Sequence, residues 1–314
     1  MKLHIFNPEN DMALASGSPG YTPPANIRAY RKLHWNLPAR WAAPEDIVWD
    51  GENCLAPLFA SDGNVPDICP WGWSPALVHE LELAGVPRLR MPDTEWLGKL
   101  RRLSGRESTA AVQRSFGIDV CVCRDVCSVE RCIDTWGDVI LKSPWSSSGK
   151  GLMLTDNPNW RCWTARVLRR QEAVIVERFV KKKLDFAMEF LMEHGTARYM
   201  GLNVFRTDAR GHFLDNTDGT EQEFETMIAA TLRCPGTLAE VRRWYVENLP
   251  RLASWYSGPV GVDMLVTAEG TVHPCVEINW RMTMGMAKVL SKLLVSDNKE
   301  SYFLVNSTIA NSVI

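Results

Sequence analysis

The chain of 314 residues is long enough for two or three packed units, and 46% hydrophobic with 23% charged residues is the make-up of a folded globular protein, not a disordered one. Its 35 Lys and Arg against 37 Asp and Glu leave a formal charge of −2, which excludes a bulk electrostatic pull toward nucleic acid or an anionic membrane. No apolar run approaches the roughly 18 residues of a membrane span, and the segment from Met1 turns polar at Asn7, too soon for a signal peptide, so a cytoplasmic location is expected.

In chain order, the expected elements open with a strand at Leu3-His4-Ile5-Phe6, followed by Asn7-Pro8-Glu9-Asn10-Asp11. Open α/β sheets place ligands after such a strand, but this segment reads better as a helix cap before Met12-Ala13-Leu14-Ala15. Ile27 to Trp35 carries helix-period apolar residues and Asp46 to Trp49 a second strand. Ser74 to Gly85 is a marked helix with a serine cap, a proline in the first turn and a glycine stop. Ser104-Gly105-Arg106-Glu107 has the capping-box form; it predicts a helix through Ala110 and Phe116 to Gly117, with Arg106 in the first turn, where free amides and the helix dipole favour an anion.

A strand at Val120 to Cys123, a helix at Val129 to Trp136 and a strand at Asp138 to Lys142 follow. Cys121, Cys123, Cys127 and Cys132 cluster here, but their spacing is no standard zinc pattern and an odd total of nine argues against a disulfide framework, so reduced structural thiols are expected. Ala173 to Val180 reads as a buried strand and Lys181-Lys182-Lys183 as a solvated turn. Asp185 to Met192 alternates, with Phe186, Met188 and Phe190 opposite Asp185, Ala187 and Glu189. Residues 208–240 read as loops and a helix capping this sheet, and Val260 to Thr267 with Thr271 to Asn279 as a hairpin about Ala268-Glu269-Gly270. Thr267 then opposes Thr271, Asp263 faces Cys275, and Glu277 lies on the same face one pair along. A slip of two would set Asp263 opposite Glu277; only an odd slip would part them.

Two stretches carry chemistry. The strand ending at Lys142 breaks into Ser143-Pro144-Trp145-Ser146-Ser147-Ser148-Gly149-Lys150-Gly151, a lysine followed by a small-residue loop whose amides could receive phosphate oxygens. The loop is not a Walker motif, because Pro144 and Gly151 stand where that motif needs Gly and Ser or Thr, and its plain alternative is a hairpin turn. The second stretch is Asp263 with Glu277-Ile278-Asn279-Trp280-Arg281: two carboxylates and an amide on one sheet face, the hard oxygen set that suits Mg²⁺, with a solvated polar face as the alternative. Together they point to ATP chemistry.

Taken in order over residues 104–290, these features resemble the ATP-grasp ligases. The resemblance implies an α/β and α+β fold with an N-terminal pre-ATP-grasp α/β domain (1–103), a small subdomain with the phosphate loop (104–180) and a large antiparallel subdomain with the metal site (181–314). It implies ATP binding by Arg106, Lys142, the loop residues Ser146, Ser147, Ser148, Gly149, Lys150 and Gly151, an adenine hinge at Glu177, Arg178, Phe179 and Val180, and a ribose-binding acid at Asp185. Asp263, Glu277 and Asn279 would ligate metal, and Lys142 and Arg281 would be the catalytic cations. Gly261 departs from the D-alanine ligases, which carry arginine there. The implied activity is an ADP-forming ligase using ATP and Mg²⁺, with Mn²⁺ as a substitute, that joins a small-molecule or peptide carboxylate to an amine or thiol through an acyl phosphate. A small-molecule kinase on the same scaffold and a non-catalytic nucleotide-binding module are the alternatives, and a homo-oligomer is compatible with either. Neither carboxylate nor acceptor is legible in these residues.

Overall fold

The computed structural model describes residues 1–60, 65–146, 151–208, 211, 213–234 and 236–295. The chain begins with β1 (Lys2–Ile5), α1 (Asn10–Ser16), α2 (Ala25–His34), β2 (Ile47–Val48), α3 (Ala56–Phe59), β3 (Asp67–Pro70), α4 (Pro75–Leu83) and α5 (Thr94–Ser104). β1 is buried along its whole length, as the middle strand of a parallel sheet ordered β2-β1-β3 must be. Leu3 and Ile5 pack there with Leu77, Leu81 and Leu97 from α4 and α5. α4 starts as its sequence dictates: the Ser74 side chain accepts from Leu77 N at 3.2 Å.

The middle of the chain runs α6 (Arg106–Ser115), β4 (Val120–Cys123), α7 (Val126–Trp136), β5 (Val139–Lys142), β6 (Leu152–Leu154), α8 (Trp160–Gln171) and β7 (Val174–Arg178). Its strands form an antiparallel sheet ordered β4-β7-β5-β6. α7 and α8 cover one face through Val129, Trp160, Trp163 and Val167. The capping box expected at Ser104 is not made: Ser104 closes α5, the N-cap of α6 is Gly105 without a side-chain bond, and Glu107 pairs with Arg124 instead. Trp145 packs over Gly105 at the join of the two helices, 3.4 Å from where a Cβ would sit.

The third part consists of β8 (Lys182–Glu193), β9 (Thr196–Thr207), β10 (Phe213–Asn216), α9 (Glu221–Ala229), α10 (Thr237–Leu252), β11 (Gly258–Thr267), β12 (Val272–Asn279) and α11 (Met284–Val295). Its antiparallel sheet is ordered β10-β9-β8-β11-β12. Phe186, Met188 and Phe190 are fully buried on one face against Tyr245 and Leu249 of α10. At about 1.5–3 kcal/mol for each large apolar side chain, this is the principal core. Two expectations change. Lys182 and Lys183 belong to β8, Lys182 pairing across to Thr267, and the region after residue 208 adds a strand, β10, and a second helix. No helix among the described residues is long and apolar enough to cross a membrane.

Candidate functional site

The site lies where the second sheet meets the exposed face of the third. α6 packs on β12, and the buried Gln113 side chain, in the last turn of the helix, donates to Cys275 O at 2.9 Å, which ties α6 to the hairpin. Arg106, at the first position of α6, is buried at the junction. It donates to Ser143 O at 2.9 Å and Ser146 Oγ at 2.7 Å, and forms an ion pair with Glu277 at 2.9 Å. Lys142, buried at the end of β5, pairs with Glu177 at 2.7 Å and reaches Val276 O at 3.3 Å. Both cations therefore touch β12 directly across the cleft.

The hairpin itself departs from a uniform register. Leu265 opposes His273 and Val266 opposes Val272, as the turn dictates, but the pairing then shifts and Asp263 faces Glu277 rather than Cys275. The cause is Pro274, which has no N–H to give to the ladder; its carbonyl instead accepts from Tyr245 Oη at 2.8 Å. The slip is even, so Asp263, Glu277 and Asn279 keep one face, and Asn279 Nδ2 donates to Asp263 Oδ2 at 3.1 Å. Burial, then the neighbouring Glu277 carboxylate, pushes the Asp263 carboxyl up to about 7. Two acids and an amide on one face are hard oxygen donors of the kind that could hold a divalent cation. Among the described residues, no group of three or more His, Cys, Asp and Glu side chains is placed to hold a metal ion.

Arg281 is shared between the hairpin and the N-terminal unit. Its guanidinium binds Asp11 through Nε at 2.6 Å and Nη2 at 2.7 Å, Asn279 Oδ1 at 3.0 Å and Met282 O at 2.9 Å. Burial opposes its charge, but Asp11, Glu277 and Asp263 outweigh that and hold it above the usual arginine range. Asp11 is thus no helix cap. Glu9 occupies the cap position of α1 without a side-chain bond, and Asp11, in the first turn, faces the cleft.

The other expected residues spread from this centre. Asp185, beside Leu265 in the sheet, accepts from Lys182 at 2.7 Å and Thr207 at 2.6 Å. Glu177 turns inward to Lys142, Arg178 ends β7 exposed, and Phe179 is 37% exposed at the edge of the same strand. Of the small-residue loop, Ser146 touches Arg106 and Gly151 closes back on Ser143, whose amide donates to Gly151 O at 2.8 Å. A Cβ at Gly151 would fall 2.1 Å from Ser143 Oγ, so only glycine fits. Ser147, Ser148, Gly149 and Lys150 lie outside the described residues.

Sequence reasoning missed Glu189. Alternation put it on the polar face, yet α11 covers it: the side chain is 1% exposed and accepts from Thr283 Oγ1 at 2.8 Å. Burial pushes its carboxyl up to about 8. The signal that could have found it is the pair Gly261 and Gly285, since a Cβ at either would meet its oxygens.

No protein-family model matches this chain, and no curated protein matches it by sequence. Solved structures match it by shape. The biotin carboxylase of Campylobacter jejuni, in complex with β-γ-ATP, superposes with a TM-score of 0.57 at 14% identity, over 98% of this chain and 71% of that one. The D-alanyl-alanine synthetase A of Vibrio cholerae gives 0.50 at 14% identity over 99% of both chains. The N5-carboxyaminoimidazole synthetase of Staphylococcus aureus, complexed with ADP, gives 0.50 at 15% identity over 90% of this chain and 71% of that one.

Proposed function

We propose, from the ATP-grasp fold that this chain has, that the protein is an ADP-forming, Mg²⁺-dependent ligase joining a carboxylate to an amine or thiol. The observation that carries this reading is the meeting of Arg106 and Lys142 with the β12 backbone and Glu277, beside Asp263 and Asn279. Phosphoryl transfer needs positioning and charge neutralisation more than a protein nucleophile, and this is a set of groups for that task.

In this reading Arg106 and Lys142 exchange their carboxylate partners for the nucleotide's phosphate oxygens. Glu177 to Val180 offers an edge for the adenine, and Asp185 accepts from the ribose. Asp263, Glu277 and Asn279 would hold Mg²⁺, which when bound supplies neutralising charge at the phosphate oxygens. Arg281 stabilises charge on the group being transferred. A carboxylate oxygen of the substrate attacks the γ-phosphorus and ADP leaves; the amine or thiol then attacks the acyl carbon and inorganic phosphate leaves.

The test is ADP release in the presence of MgATP and panels of carboxylates paired with amines or thiols. We expect release that depends on both substrates, and a Glu277→Gln variant slower by on the order of 100-fold. Full Mg²⁺-dependent turnover in that variant overturns the metal assignment, and a stable phosphorylated product without acceptor makes the protein a kinase.

A further inference from the structure

Arg281 has almost no hydrogen-bonding capacity left. A guanidinium carries five N–H bonds. Four are spent: Nε on Asp11 Oδ1, Nη2 on Asp11 Oδ2 and Asn279 Oδ1, and Nη1 on Met282 O. The edge formed by Nε and Nη2 presents two parallel N–H bonds that match a planar anion with two oxygens, and Asp11 fills it completely. If Arg281 is to take a substrate anion on that edge in the ligase proposed above, on which this inference rests, Asp11 has to let go.

The surroundings permit that. The Arg281 and Asp11 side chains keep 19% and 25% of their surface exposed, and both line the cleft that Glu277 and Asn279 line, where the free space is only about 10 Å³, so an anion finds room only as the Asp11 side chain leaves. The backbone around Asp11 is tied down separately. The buried Asn7 side chain spans Gly72, donating to its carbonyl at 2.8 Å and accepting from its amide at 3.4 Å, so the Asp11 side chain can rotate while its helix stays in place. On the other side, Met282 N donates to Trp71 O at 2.8 Å, which fixes the turn carrying Arg281. Two rigid supports thus hold one exchangeable contact.

We infer that Asp11 is a built-in stand-in for the substrate's anion: it occupies the two-toothed edge of Arg281 in the free protein, and a carboxylate or bicarbonate enters by displacing it. A binding mode open only part of the time weakens apparent affinity by the fraction of time it is open. Removing the internal competitor therefore tightens anion binding, the opposite of what losing a ligand-contacting residue does.

The experiment compares wild type, Asp11→Asn and Arg281→Gln by titrating acetate, bicarbonate and, as a tetrahedral control, inorganic phosphate in calorimetry, with MgATP binding measured on the same samples. Asp11→Asn is expected to bind acetate or bicarbonate about ten- to a hundredfold more tightly than wild type, with phosphate unchanged and Arg281→Gln binding neither planar anion. Which of the two gains more identifies the class of anion. Equal or weaker binding of both by Asp11→Asn, with MgATP binding intact, overturns the inference and leaves the ligase reading standing; loss of MgATP binding in wild type overturns that reading instead. Should Asp11→Asn fail to fold, a crystal of the wild-type protein soaked in acetate or bicarbonate decides: the anion on Arg281 with Asp11 rotated away is expected, and Asp11 still seated on Arg281 overturns the inference.

Discussion

Gly261 and Gly285 leave the space that the carboxyl group of Glu189 and the side chain of Thr283 occupy. A Cβ on Gly285 would lie 2.1 Å from Glu189 Oε1, and one on Gly261 would lie 2.9 Å from Oε2 and 2.5 Å from Thr283 Cγ2, all closer than the 3.0 Å that real Cβ contacts keep. Thr283 in turn accepts from Met286 N at 2.9 Å, so the glutamate holds the start of α11 in place through a shared hydroxyl. We expect Gly285→Ala to lower stability by about 1–2 kcal/mol in urea unfolding at pH 7, although alanine is the better helix former by about 1 kcal/mol. Glu189→Gln should cost less than about 1 kcal/mol at that pH, because the carboxyl, pushed to about 8, is already mostly neutral and the amide has its shape. In the sequence Gly261 showed only as a missing arginine, and Glu189 only as one polar residue in an alternating strand. What covers that strand is α11, and no local pattern says so. Asp11 was hidden differently: an acidic residue at the start of a helix already has a local explanation, and its partner Arg281 is 270 positions away.

At the scale of elements, the β11–β12 hairpin was legible in its turn, its alternation and its shared face, and illegible in its register. The turn fixes the pairing only as far as Leu265 and His273, and beyond it the extra residues around Pro274 carry Glu277 opposite Asp263. Proline within a strand announces an interruption, but whether the ladder slips by an even or an odd count depends on what accepts the displaced backbone. Here Tyr245 of α10, fully buried, gives its hydroxyl to the Pro274 carbonyl. Tyr245→Phe leaves that carbonyl without its partner while preserving the ring's packing. We expect a loss of about 1–2 kcal/mol in urea unfolding with no change in the denaturant slope; a loss within error would mean that the bulge holds its register unaided.

Across the whole molecule, the three parts share apolar clusters, Leu14, Leu100 and Val112 packing with Phe186 and Met188, but they also bury titratable groups, and these make stability depend on pH. His273, 8% exposed near Lys142 and Glu177, is pulled by burial down to about 4, below the ordinary 6.5. Between those values the unfolded chain binds the proton more readily, so stability falls as pH drops through that window. Glu189 acts in the other direction: with a folded value of about 8 against 4.5, the native state holds the proton more tightly, and stability falls as pH rises from 4.5 to 8. The full span for this buried carboxyl is on the order of 5 kcal/mol. Asp263, raised to about 7, adds to the same alkaline slope. Two carboxyls outweigh one imidazole between pH 5 and 6.5, and above that the imidazole no longer contributes, so the protein without nucleotide should melt at progressively lower temperature from pH 5 to pH 8. MgADP should reverse the trend if it binds where proposed, because a cation on Asp263 and Glu277 needs both ionised and its affinity grows as they lose protons. Melting curves at pH 5.5, 6.5 and 7.5, with and without MgADP, test both halves at once. The expected result is a ligand-induced rise in melting temperature that widens with pH, and that Asp263→Asn flattens. A shift independent of pH, or unaltered in that variant, would place the divalent cation away from this pair of acids.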